Sequence, residues 1–189
     1  MDHENVGAAK RPTVSADGAI PEGLEVAYFA GGCFWGIEHT FQIAPGVVSA
    51  ESGYQQGHKL NPTYQDVCYS ETGHAETVRV LYDPSQITFS QLCQGFMLLH
   101  DPTQEDGQGP DIGTQYRSGI WTVSEEQLKT AQEVIKESQK LFPDPIVTQV
   151  QMADKFYIAE EYHQDYVEKT GMYCHGGNPW PKVLGEPSL

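Results

Sequence analysis

Basic residues are scarce in this chain: 11 Lys and Arg stand against 26 Asp and Glu, for a formal net charge of −15. Nucleic acid and anionic membrane both need clustered cations to displace counterions, so neither is the expected partner. The plain reading of the acidity is solubility. Long apolar runs are missing as well. Stretches such as Phe96 to Leu99 fall far short of the roughly 20 residues that cross a bilayer. The opening stretch MDHENVGAAKRPTVSADGAIPEG lacks the apolar core of a secretory signal, so a cytoplasmic location is expected. Cysteine occurs only at 33, 68, 93 and 174, and no C-x-x-C is present. That spacing signals neither a zinc ribbon nor a thioredoxin-type pair. In a reducing compartment such dispersed cysteines are more often core filler than disulfides, so a role for any of them must rest on its neighbours. There is no H-E-x-x-H, no internal repeat and no low-complexity tract. No metal or organic cofactor is expected.

What is present is enough for one domain with a proper core: 189 residues, 39% of them hydrophobic. Residues 1–23 are polar and aperiodic and read as a mobile arm. The body is expected over 24–170. LEVAYFAGG reads as a strand feeding a turn, and 34–43 as a helix with Phe34, Ile37 and Phe41 on one face. GVVSAESGY and ETVRVLYD are further strands, separated by a loop-rich stretch at 55–75. A helix then carries Phe89, Leu92, Phe96 and Leu99 on one stripe, and YRSGIWTV is the next strand after a polar loop near 101–115. Ser124 and Gln127 form a capping box for a helix from about 125 to 141. PIVTQVQM is a fifth strand and AEEYHQDYVEK a last helix, followed by an irregular, mobile tail over 171–189. The order from 24 to 123 predicts an α/β two-layer sandwich with a ferredoxin-like β-α-β-β-α-β core, extra helices and long loops. On such a scaffold, function is expected in the two long loops.

Cys33 sits where a strand ends, two glycines turn the chain and a helix starts. Unpaired N–H groups and the macrodipole favour an anion there, which lowers a thiol pKa from its usual ~8.5. Gly31 and Gly32 would let backbone approach a substrate closely. Phe34 and Trp35 lie about 100° apart on a helix, so both cannot face the same core, and at least one is expected beside the thiol. Rings suit a thioether or methyl group. A buried core cysteine starting a helix is the competing reading, and the Gly-Gly and Phe-Trp flanks argue against it.

GGCFWG at 31–36 resembles the signature of the A-type peptide methionine sulfoxide reductases. GHAETVRV at 73–80, GTQYRSGI at 113–120, NPTYQDVC at 61–68 and AEEYHQDY at 159–166 are similar to further segments of that family, in the same order. The resemblance implies Cys33 as the nucleophile, with Phe34 and Trp35 as walls for the substrate's terminal methyl. It implies Glu76 as the acid that protonates the sulfoxide oxygen, and Tyr64 and Tyr116 as phenols that hydrogen-bond it. Asp111 falls where the family has an acidic residue at the pocket rim; the family often has His next, whereas this chain has Ile112. The resemblance also implies the S epimer as substrate, free or in proteins, and thioredoxin as the external reductant.

The chemistry is coherent with these groups. A sulfoxide sulfur is a poor electrophile until its oxygen is protonated or strongly hydrogen-bonded, which a carboxylic acid kept neutral near pH 7 and two phenols can do. Burial against aromatics would raise Glu76 from its ordinary ~4.3. Oxygen transfer leaves a sulfenic acid, which condenses with a second thiol. Cys174, in the Gly- and Pro-rich GMYCHGGNPWP, is the candidate resolving cysteine; Cys68, behind Tyr64, is its rival, and Cys93 on an apolar helix face reads as core. His175 would favour the Cys174 thiolate, and His74 reads as a local polar support. A cysteine hydrolase, a thiol peroxidase and an acidic binding module compete with this reading, and the chain is expected to be a monomer.

Overall fold

The computed structural model describes residues 11–172 and 177–185. In chain order its elements are β1 (Glu25–Gly31), α1 (Phe34–Gln42), β2 (Val47–Gln55), α2 (Tyr64–Tyr69), β3 (Ala75–Tyr82), α3 (Phe89–Leu99) and the short β4 (Gly107–Gln108) and β5 (Asp111–Ile112). There follow β6 (Ser118–Thr122), α4 (Glu125–Ser138), β7 (Gln149–Met152), β8 (Tyr157–Ile158), α5 (Tyr166–Thr170) and α6 (Trp180–Leu184). The fold is mixed α/β around a sheet of strand order β7-β6-β1-β3-β2-β8. All neighbours pair antiparallel except β6 and β7, which are parallel.

Alternation along the strands divides the side chains between two faces. On one, Ala27, Phe29, Val78, Val80 and Ile120 meet Phe34, Ile37 and Phe41 of α1 and Leu92 and Phe96 of α3. The Phe29 ring lies 4.7 Å from Phe41 and 5.1 Å from Phe96. On the other, Val26 and Leu81 pack with Val14, so part of the stretch expected as a mobile arm is docked. Ala30 and Ala75 pack there with Trp121.

Helix starts follow local chemistry. Thr88 and Gln91 cap α3 reciprocally, as Thr63 and Asp66 cap α2. The short α2 lies inside the stretch expected to be loop. At α4 only half of the expected box forms: Ser124 Oγ accepts from Gln127 N–H at 3.1 Å, while the Gln127 side chain accepts from Val123 N–H and donates to Val26 O. Ser124→Ala is expected to cost about 1 kcal/mol, read as a lower urea midpoint at unchanged slope.

The C-terminal end differs most from expectation. The predicted last helix is broken: Glu161–His163 form a single 3-10 turn, Asp165 takes φ +55, and α5 starts only at Tyr166. The tail is not irregular throughout. Trp180 is 1% exposed, and its indole N–H donates to Thr40 O at 2.7 Å. A Cβ on Gly95 would come within 2.2 Å of that indole, so this mid-helix glycine makes room for Trp180.

Candidate active site

β1 delivers the chain to Gly31, Gly32 turns it with φ +101, and Cys33 occupies the N-cap of α1 without a side-chain cap bond. Gly31 answers to the core rather than to a substrate. A Cβ there would meet Phe96 Cε2 at 2.9 Å and Ile37 Cδ1 at 3.2 Å. Cys33 itself is half-buried.

Glu76 lies on β3 opposite Tyr54 of β2 and is 2% exposed. Its Oε1 accepts from the N–H of Phe34, the residue after the thiol, at 3.2 Å. One helix-terminal donor is thereby spent on the carboxyl. Among the described residues, Oε2 has no hydrogen-bond partner. Burial pushes Glu76 up to about 8; the Phe34 N–H only partly offsets this, and the Asp111 carboxylate adds to it. A group so placed holds its proton at pH 7.

The two predicted phenols converge on this acid. Burial raises Tyr116 first, followed by the fields of Glu76, Cys68, Asp111 and Cys33. Tyr64 is raised by burial, by a bond to the Cys68 thiol, and by Glu76 and Tyr116. Both phenols are thus held as hydrogen-bond donors. The structure brings Cys33, Glu76, Tyr64, Tyr116 and Asp111 into one electrostatic neighbourhood, and Cys68 lies within it. Burial raises the Cys68 thiol, which argues against a standing thiolate. The Arg117 guanidinium donates to Thr114 O at 2.9 Å and Gly73 O at 3.0 Å, tying the turn that ends in Tyr116 to the approach to Glu76.

The aromatic pair divides as the 100° offset requires. Phe34 is buried against Tyr54 and His163. Trp35 stacks on Tyr166, centroids 3.7 Å apart at 11°, and its indole N–H donates to His163 Nδ1 at 2.9 Å. His163 is fully buried, and burial lowers its pKa. With Nδ1 accepting, the ring proton sits on Nε2, 3.8 Å from Glu160 Oε2. Glu160 also accepts from the Tyr54 hydroxyl at 3.1 Å and from Tyr64 N–H at 3.3 Å.

Sequence reasoning missed Glu160, His163 and Tyr166 as parts of the site. They were visible only as a quoted segment inside a predicted continuous helix. Cys93 is core, its thiol raised by burial. His74 is structural, accepting from Gly57 N–H at 3.1 Å and donating to Lys59 O at 2.7 Å. Cys174 and His175 lie outside the described residues. Among those described, no group of three His, Cys, Asp or Glu is arranged to hold a metal.

A half-buried sulfur at a helix start, a buried carboxyl held by the N–H of the next residue, and two phenols beside that carboxyl are an arrangement suited to thiol-based redox chemistry. The chain belongs to the peptide methionine sulfoxide reductase family, whose model matches residues 25–179. It is 51% identical over 173 residues to peptide methionine sulfoxide reductase A2-1 of Oryza sativa subsp. japonica, covering 90% of this chain and 92% of the relative. Among solved structures it is similar to methionine sulfoxide reductase A of Corynebacterium diphtheriae, with TM-score 0.78, 37% identity, and coverage of 85% of this chain and 82% of the other. It also resembles Mxr1 from Saccharomyces cerevisiae in complex with Trx2, with TM-score 0.57, 26% identity and coverage of 82% and 91%.

Proposed function

We propose that the protein reduces the S epimer of methionine sulfoxide, free and within proteins, with Cys33 as nucleophile. The carrying observation is Glu76: buried, raised to about 8, one oxygen on Phe34 N–H and the other without a hydrogen-bond partner among the described residues. The Cys33 sulfur attacks the sulfoxide sulfur while Glu76 gives its proton to the oxygen, which Tyr64 and Tyr116 hold. Phe34 and Trp35 wall the substrate methyl, and Asp111 lines the rim. The protonated oxygen then passes to the Cys33 sulfur: a new S–O bond forms there as the transient sulfur–sulfur bond and the substrate S–O bond break, so methionine leaves and Cys33 is left as a sulfenic acid. Cys33 is thereby oxidised by two electrons and the sulfoxide reduced by two.

The Cys174 thiol then condenses with the sulfenic acid, expelling water and forming a Cys33–Cys174 disulfide. A dithiol protein of the thioredoxin kind returns two electrons and two protons. The relative crystallised with Trx2 supports that partner. Residues 24–170 are the catalytic body of this reading, and 171–189 the segment that carries the resolving thiol. The reading also takes the central strands as a ferredoxin-like unit; the order β6-β1-β3-β2, antiparallel throughout, supports it.

Substrate and redox chemistry are tested together. With dithiothreitol, the purified chain is expected to consume N-acetyl-methionine S-sulfoxide and leave the R epimer. Without reductant, one equivalent of substrate is expected to yield a tryptic Cys33–Cys174 linkage. Equal use of both epimers, or a Cys33–Cys68 linkage with Cys174 still a thiol, overturns the corresponding part.

A further inference from the structure

Glu38 is an ionisable side chain that the reaction does not use, yet it is 1% exposed and lies on the helix that Cys33 caps and that carries Phe34 and Trp35. Its surroundings account for it completely. Oε2 accepts from Ser52 Oγ at 2.5 Å and from Ser52 N–H at 3.1 Å. Oε1 accepts from Asp165 N–H at 2.6 Å and from Gln42 Nε2 at 3.0 Å. Four donors from three parts of the chain thus close on one carboxylate, two on each oxygen. Burial pushes Glu38 up to about 7, and the bonds from Ser52 and Asp165 oppose that rise. Losing the Oε1 acceptor orphans the Asp165 N–H, whereas Ser52 N–H keeps Gln164 and the Gln42 amide keeps Asp165 Oδ1.

The partners matter more than their number. Asp165 adopts φ +55, a conformation that a non-glycine residue enters at a cost, and its N–H is held by Glu38. Gln164 is clamped on the same strand, accepting from Ser52 N–H and donating to Ser52 O. This knot separates His163, which accepts from the Trp35 indole, from Tyr166, which stacks on that indole. Trp35 is three residues before Glu38, so helix and knot meet on one side of α1.

We propose that Glu38 is a positioning residue for the sulfoxide pocket: its carboxylate pins the 164–165 turn to α1 and β2, and thereby sets the Trp35 wall between His163 and Tyr166. The role rests on the reading of Trp35 as a substrate wall. Glu38 makes no contact with the reacting atoms, so it acts on binding and leaves the chemical step intact.

The test is Glu38→Gln, whose amide retains one acceptor oxygen and turns an NH2 toward N–H donors. In dithiothreitol assays on N-acetyl-methionine S-sulfoxide, KM is expected to rise about tenfold with kcat within about twofold. In the proton–nitrogen NMR spectrum, the Trp35 indole resonance is expected to move. The indole resonances of Trp121, bonded to Thr77, and Trp180, bonded to Thr40, are expected to stay, which also reports folding. An unmoved Trp35 resonance, an unchanged KM, or a fall in kcat at constant KM overturns the proposal. If Glu38→Gln does not fold, Ser52→Ala, which removes one of the four donors, decides by its Trp35 resonance: shifted in support, unmoved against. Should the wild-type chain leave sulfoxides untouched, the functional reading falls, while the resonances still decide whether Glu38 sets the indole.

Discussion

Glu76→Gln is expected to slow the first sulfoxide reduction at pH 7 by about 10²–10⁴-fold, the span of a lost general acid. The amide keeps the shape and can still accept from Phe34 N–H, but it has no proton to give. The pH profile distinguishes this from loss of packing. In the proposed mechanism the protonated acid is the active form, so its contribution to kcat/KM is expected to be full below about 8 and to fall as pH rises through that value. In the glutamine variant this descending limb is expected to vanish. Single-turnover rates between pH 5.5 and 9.5 read it, and a limb that survives the substitution removes Glu76 as the acid.

The same group makes an opposite prediction for stability. Its folded pKa of about 8 stands above an ordinary value of 4.5, so the native state binds a proton that the unfolded chain has released. The associated stability is fully present below pH 4.5 and is lost progressively as pH rises toward 8. At pH 7 the deficit is roughly 3 kcal/mol. Glutamine carries no such deficit, so the variant is expected to melt above the wild type at pH 7–8 and to match it near pH 4.5. The acid is therefore a place where function costs stability.

Trp180→Ala is the second large effect, expected to cost about 3–5 kcal/mol in urea unfolding. The substitution empties a buried site between Phe41 and Gly95 and leaves Thr40 O without its indole donor. Trp180 packs on Phe41 and Gly95 and bonds Thr40, away from Glu76 and Tyr116, so the first turnover in dithiothreitol is expected to stay within about twofold where the variant is folded. If Cys174 resolves the sulfenic acid as proposed, thioredoxin-driven cycling is expected to fall further, because α6 follows Cys174 by only a few residues in the chain. Gly95→Ala should reproduce the split, since the new Cβ displaces the indole. Equal losses with both reductants would detach the anchor from the redox relay.

Local signals placed Cys33 well. The strand, the glycine turn and the helix start around Cys33 are all near-neighbour effects, and a 100° offset was enough to separate Phe34 from Trp35. Glu76 was legible as a residue, and its raised pKa as an expectation from aromatic surroundings. The segment 159–169 was misread as one helix. Its polar and aromatic residues satisfy a helical spacing, yet Glu160, His163 and Gln164 are claimed by Tyr54, Tyr64, Trp35 and Ser52, and those bonds break the helix at Asp165. Gly31 was assigned to substrate approach because its true neighbours, Phe96 and Ile37, lie elsewhere in the chain. The tail was read as irregular because a five-residue helix has no periodicity of its own; Trp180 holds it in place by burial.

The primary structure by itself determined that Cys33 stands at a strand-to-helix turn with Phe34 and Trp35 after it, since turns, caps and strand alternation are decided within a few residues. Only tertiary packing decided that Glu76 is dry enough to keep its proton, and that Trp35 is gripped from residues 163 and 166. Solvent exclusion and hydrogen bonds across more than a hundred positions depend on what the folded chain brings together, which no window of neighbouring residues contains.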